Sequence, residues 1–208
     1  MPGPSPPRRK FMNTSDKIKL KGGAILAPVP AVIVTCGSVE APNALTIAWT
    51  GTLNTIPPKT YISVRPERYS YNLIKESGEF VINLTTKSLV RATDYLGVRS
   101  GKNEDKLENL GLTVSKAQEV SAPVLDASPI SIECRVSEIV PLGSHDMFVA
   151  DVLCVNVAKE LMDEKGRICL EKAGLIAYSH GEYFALGEKL GSFGYSVKKP
   201  VKKKRKKK

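Results

Sequence analysis

Ala41-Pro42-Asn43-Ala44-Leu45-Thr46-Ile47-Ala48-Trp49-Thr50-Gly51 sets small, hydroxyl and amide residues around the only tryptophan of a 208-residue chain. A strand of this composition offers main-chain groups and short polar side chains to a flat ligand, with little bulk in the way. The sequence runs on through Thr52-Leu53-Asn54-Thr55-Ile56-Pro57-Pro58 into Tyr61-Ile62-Ser63-Val64-Arg65-Pro66-Glu67-Arg68-Tyr69-Ser70-Tyr71. Hydroxyls and two arginines therefore follow within the reach of one hairpin. The plain alternative is a core strand, since Thr and Trp are common strand residues.

Outward from this stretch, short β-branched or alternating runs recur at residues 31–36, 44–49, 60–65, 79–84, 130–140 and 147–157, bounded by glycine, proline and asparagine. They predict strands. Helical spacing interrupts them at residues 69–76, where Tyr69, Leu73 and Ile74 share a face and Gly78 follows as a stop. Leu89, Ala92 and Leu96 share a face in a second helix over residues 88–96, and residues 106–110, ending at Gly111, form a third turn. Few helices, and more strands than one flat sheet holds, predict a mainly β fold: a partly open antiparallel barrel with a few short helices. The chain shows no internal repeat.

The length suits a single domain able to bury a substantial core. Of the formal charge of +10, nine positive charges fall in residues 198–208 and three in Arg8, Arg9 and Lys10, so the body between carries a net −2. Residues 1–16, rich in proline and charge, and the Lys-rich residues 198–208 are expected to be flexible tails around one domain over residues 17–197. Cys36, Cys134, Cys154 and Cys169 stand singly, with no Cys-x-x-Cys pair or Cys/His cluster, so they predict free thiols in a reducing cytoplasm and no metal site. No run is apolar for the about 18 residues that a membrane span needs. The N-terminus lacks the apolar core of a signal peptide. The expectation is a soluble, cytoplasmic protein with no membrane partner.

The order Asn-x-x-Thr-x-x-Trp-Thr-Gly, then Pro-Pro, then a β-branched strand ending in Ser-x-Arg, resembles the flavin reductase-like family with the FMN-binding split barrel, and its flavoredoxin branch above all. The resemblance spans roughly residues 17–196. It implies a Greek-key antiparallel barrel, a homodimer with the flavin near the subunit boundary, and FMN as cofactor. An isoalloxazine ring is flat, apolar on its faces and edged with donors and acceptors. Asn43, Ala44, Leu45, Thr46, Trp49, Thr50 and Gly51 are its candidate neighbours.

A phosphate needs positive charge and convergent donors, and a helix N-terminus supplies unpaired amides. Arg65, Arg68, Ser70 and Tyr71 can converge there on one dianion, with arginine's fork suited to two phosphate oxygens. The resemblance carries the phosphate role to Ser63, Arg65 and Ser70, with Val64 between them. The loop Asp94-Tyr95-Leu96-Gly97-Val98-Arg99-Ser100-Gly101-Lys102-Asn103-Glu104-Asp105-Lys106 resembles a Ser-Gly-x-x-x-Asp-Lys segment near the flavin pocket of flavoredoxin-like proteins. Ser100, Gly101, Lys102 and Lys106 become candidates of second rank. Leu142-Gly143-Ser144-His145-Asp146-Met147-Phe148-Val149-Ala150-Asp151-Val152 resembles the family's Gly-x-His-x-x-Phe signature, which implies that His145 borders the flavin and nicotinamide, as a catalytic-site residue. His180 lies in a run similar to the family's C-terminal segment and is expected to be structural.

The chain has no Gly-x-Gly-x-x-Gly after a strand, no Walker loop and no Gly-x-Ser-x-Gly elbow. A nicotinamide donor, NADH or NADPH, would thus lie directly over the flavin. The reading is an FMN-dependent oxidoreductase, either an NAD(P)H-dependent flavin reductase or a flavoredoxin-like carrier exchanging electrons with a protein donor or acceptor. The alternative is a nucleic-acid- or surface-binding protein acting through its Lys-rich tail, since a run of like charge binds phosphate backbones without sequence preference.

Overall fold

The computed structural model of the chain describes residues 16–197. The expected tails, residues 1–16 apart from Asp16 and residues 198–208, lie outside the described residues. In chain order the elements are β1 (Val29–Pro30), β2 (Val32–Gly37), β3 (Pro42–Ile47), β4 (Thr50–Thr55), β5 (Pro58–Val64), α1 (Tyr69–Ser77), β6 (Glu79–Leu84), α2 (Val90–Val98), α3 (Lys106–Asn109), β7 (Val114–Ser115), β8 (Val124–Leu125), β9 (Ile130–Pro141), β10 (Asp146–Val157), β11 (Ile176–Ser179) and β12 (Glu182–Ala185). Among the described residues no helix is long and apolar enough to cross a membrane.

Seven strands form one sheet in the order β3-β2-β6-β9-β10-β5-β4, with antiparallel ladders between neighbours. The two ends of that order, β3 and β4, are consecutive in the chain and separated only by Ala48 and Trp49. A sheet whose opposite edges are joined by two residues must curl until the edges meet. Ala48 and Trp49 are therefore the corner at which the sheet closes into a barrel. The join is partial: Ser63 N donates to Trp49 O at 2.9 Å, while β3 and β5 share no ladder.

Side chains at every second position fill the interior, as the two-residue period of a strand requires. Val32, Val34 and Cys36 of β2 meet Leu45 and Ile47 of β3, Ile62 and Val64 of β5, Phe80 and Ile82 of β6, and Phe148 and Ala150 of β10. On the outer face Ile33 and Ala44 pack with Leu96 of α2, Leu107 of α3 and Leu125 of β8. Burial on both faces explains why β2 reads as a continuous apolar run instead of alternating. Helix α1 is bound to the barrel by Tyr71 and Ile74. It stops where Gly78 takes a left-handed conformation (φ 67°) and donates to Ile74 O at 2.9 Å.

The strand expected at residues 79–84 coincides with β6, and those expected near residues 31, 60, 130 and 147 appear as β2, β5, β9 and β10 with ends shifted by one or two residues. The run 44–49 does not stay one strand. It ends at Ile47, because Ala48 and Trp49 turn the corner, and a separate strand follows in β4. The second helix begins with a 3-10 turn at Lys87–Leu89 and extends to Val98. A small sheet, β1-β11-β12, lies outside the expected set of strands. All four cysteines are free thiols, with Cys154 half-buried and the rest buried.

Candidate functional site

The corner strand shapes a cleft of about 220 Å³, lined by the uncharged strip Leu45, Thr46, Ile47, Ala48 and Trp49, by Ser63 and Val64 of β5, and by Arg65 and Arg68. Several polar groups here are already used by the fold. Thr46 Oγ1 donates to the carbonyl of Thr93 in α2. Thr50 Oγ1 donates to Tyr61 O at 2.6 Å, and Thr60 Oγ1 to Gly51 O at 2.9 Å, which locks β4 to β5 just beyond the corner. His145 stands at the same cleft, its Nδ1 3.0 Å from Ser144 Oγ. Burial, reinforced by the Arg65 and Arg68 cations, lowers its pKa and favours the neutral imidazole, against the opposing pull of Glu67.

Leu45, Arg65 and Arg68 also line a larger cleft of about 670 Å³ at the head of α1, completed by Glu67, Tyr69, Ser70, Leu96, Arg99, Ser100, Gly101 and Lys106. The two clefts thus adjoin, with Leu45, Arg65 and Arg68 in the wall they share. Arg65 directly follows β5, and a turn with Arg68 N donating to Arg65 O at 3.0 Å brings Arg68 to the N-cap of α1. Neither arginine makes an ion pair among the described residues. Ser70 is buried in the first turn, and its Oγ accepts from Asn43 Nδ2 at 2.6 Å.

The loop after α2 closes the far wall. Gly101 packs so tightly on β3 that a Cβ there would lie 2.1 Å from Asn43 Oδ1 and 3.1 Å from the Tyr69 ring. Lys106 is only 4% exposed and its ammonium donates to Ala44 O and to Arg99 O, the latter at 3.3 Å. Burial is the main reason its pKa is lowered to about 8, with Arg68 adding to the effect. Arg99 lies 3.7 Å from Glu104, a carboxylate that also accepts from Tyr95 Oη at 2.6 Å and Asn109 Nδ2 at 2.8 Å. Four cations thus face the cleft with Glu67 as its one lining acid.

Residues 26–187 match the flavin reductase like domain. The chain belongs to this family. It is 34% identical over 140 residues to an uncharacterized protein of Archaeoglobus fulgidus, covering 67% of this chain and 78% of the relative. Among solved structures it is similar to the flavoredoxin of Desulfovibrio vulgaris (Miyazaki F), with a TM-score of 0.81, 30% identity, and coverage of 88% of this chain and 100% of that one. It is also similar to the FMN-binding protein of Thermus thermophilus with bound 1-cyclohex-2-enone, with a TM-score of 0.72, 25% identity, and coverage of 88% and 99%. The curled seven-stranded sheet is the split barrel of flavin reductase-like proteins.

In this flavin reductase-like chain the candidate residues fall into three groups. Leu45, Thr46, Trp49, Ser63, Val64, Arg65, Arg68, Ser70, Ser100, Gly101, Lys106 and His145 line the two adjoining clefts. Asn43 and Ala44 line an adjoining hollow that shares Tyr69, Gly101 and Lys106 with them. Thr50, Gly51, Tyr71 and Lys102 line neither cleft. Thr50 and Gly51 are engaged across the β4–β5 ladder, and Tyr71 is buried with its Oη on Asp146 Oδ2 at 2.5 Å. Lys102 is exposed on the loop.

Arg99, Tyr69 and Glu67 were not singled out from the sequence, although each adjoins a residue that was. Ile47 and Ala48 complete the uncharged strip in the same way. The chemistry of the donor set fits a flat molecule ending in a phosphate: a strip without charge at the corner, and arginine forks, a lysine and a helix start at the other end.

Proposed function

We propose that this chain binds FMN along the strand corner and passes electrons through it, as an NAD(P)H-dependent flavin reductase or as a flavoredoxin-type carrier. The reading rests on the shared wall of the two clefts, where an uncharged strip at Leu45–Trp49 adjoins a cleft lined by Arg65, Arg68, Arg99 and Lys106 at the head of α1. FMN has the same polarity from ring to dianion. The FMN-binding relative and the flavoredoxin, both similar along nearly their whole length, support the choice of cofactor.

The flavin, when bound, supplies the hydride and electron chemistry. This chain's residues position it. Arg65 and Arg68 provide forks for the phosphate oxygens, and the amides and hydroxyl at the start of α1 add donors where the helix dipole favours negative charge. Asn43 holds Ser70 in place, Lys106 ties the loop wall to β3, and Ser63 and Val64 form the floor beneath the ring. Thr50, Gly51 and Tyr71 act one layer back, by fixing the corner and α1. His145, held neutral, borders the ring side where a nicotinamide would approach.

The reading includes a homodimer in the cytoplasm. Leu53, Ile56, Leu153 and Val155 are exposed apolar side chains on β4, the turn after it and β10, and give such a pairing surface to bury. Two measurements test the function: identification of any flavin released from purified protein, and anaerobic mixing with NADH and NADPH while flavin absorbance is followed. Rapid bleaching identifies a reductase, and bound FMN without bleaching a carrier fed by another protein. A protein that neither retains nor titrates with FMN overturns both.

A further inference from the structure

Thr46, Ala48 and Trp49 line not only the uncharged strip but also a second pocket of about 300 Å³. Asp94 and Gly97 of α2 and Tyr178 and Tyr183 of the β11–β12 hairpin complete it. The hairpin register sets Tyr178 opposite Tyr183, and their rings lie 5.4 Å apart at an angle of 59°. Tyr183 Oη donates to Asp94 Oδ1 at 3.3 Å, which holds the carboxylate at the pocket. Burial and the neighbouring carboxylate push the Tyr183 phenol up to about 12, so it keeps its proton. Trp49 remains 37% exposed.

The contrast with the cleft at α1 decides the ligand. That cleft carries Arg65, Arg68, Arg99 and Lys106, whereas no lysine or arginine lines the second pocket among the described residues. Three aromatic side chains and one carboxylate line this pocket, with no lining cation among the described residues to offset them. A flat ring gains burial and stacking here whatever its charge. A positive ring adds cation–π and carboxylate attraction, and a negative one meets repulsion without a partner.

We propose that the pocket formed by Trp49, Tyr178, Tyr183 and Asp94 binds a flat aromatic ring of positive charge. Its occupant touches the same corner residues as the flavin if the functional reading above holds; the binding itself does not depend on that reading.

The sole tryptophan makes the test direct, because Trp49 emission reports on this corner. Full-length protein as purified is titrated with 1-methylnicotinamide, nicotinamide and nicotinate, three rings of similar size that are positive, neutral and negative. Saturable quenching is expected, tighter by about tenfold or more for the cation than for the anion. Asp94→Asn should bring that preference to within about threefold, with unchanged circular dichroism and flavin content. Linear quenching alike for all three probes, or a preference that survives Asp94→Asn, overturns the proposal. If FMN binds and no ring does, only the pocket fails. If charge-selective ring binding persists in a protein that does not take FMN, the functional reading fails and the pocket stands.

Discussion

Arg65 and Arg68 stand exposed at the head of α1 without an acid partner among the described residues, an arrangement that leaves both forks for an anion. If Arg65 holds the phosphate, Arg65→Ala weakens FMN by about 1.5–3 kcal/mol, the range of a charge-assisted hydrogen bond, and leaves riboflavin almost unaffected. Equal losses for the two ligands would remove Arg65 from the phosphate. Lys106 supplies a second test, in pH. With its pKa near 8 in the free protein, a bound dianion favours the protonated form. FMN affinity should therefore be full just below pH 8, where the phosphate is still a dianion, and decline as pH rises through 8, while riboflavin affinity stays flat across the same range. Lys106→Met should flatten the FMN profile, and a wild-type profile already flat across that range would show that the ammonium does not sense the ligand. Folding responds in the opposite sense. Between about 8 and the ordinary lysine value of 10.5 the unfolded chain holds this proton more firmly than the native one, so Lys106's contribution to stability improves as pH rises.

At the scale of elements, the site is a junction of β3, α1 and the loop between α2 and α3, and Gly101 is where the three come closest. Gly101→Ala places a methyl group 2.1 Å from Asn43 Oδ1, so either the loop withdraws or Asn43 releases Ser70. The expected cost is about 1–3 kcal/mol in denaturant unfolding, as for other overpacked contacts, together with weaker FMN binding. A variant with wild-type stability and affinity would mean that the loop does not form the wall described. The same junction shows what local sequence can disclose. Arg65, Arg68 and Ser70 are legible as neighbours because they lie within one strand-to-helix turn. β6 and α1 are legible because a short apolar run buried on both faces and a terminal glycine are local signals. The bend at Ala48–Trp49 is not, since residues 44–49 have one uninterrupted strand propensity and the corner arises only when β3 and β4 become opposite edges of one sheet. Arg99 and the pairing of Asp94 with Tyr183 are hidden for the same reason: they meet through tertiary packing across distant segments.

For the whole molecule, charge is distributed unevenly, and the imbalance separates the two functional readings. The body carries a net −2, while residues 198–208 carry nine positive charges. Binding to nucleic acid that comes from such a segment follows counterion release, so it weakens steeply with salt and ignores sequence. Deleting residues 198–208 should abolish salt-sensitive binding to DNA or RNA and leave flavin content unchanged, because that segment holds the run of like charge while the cations of the candidate flavin cleft lie at the head of α1. Filter binding and flavin absorbance on the same two proteins decide the matter. A truncated chain that still binds nucleic acid with a steep salt slope would place a basic surface on the barrel itself. Adding FMN then locates that surface: competition assigns it to Arg65, Arg68 and Arg99, and its absence points to another part of the barrel.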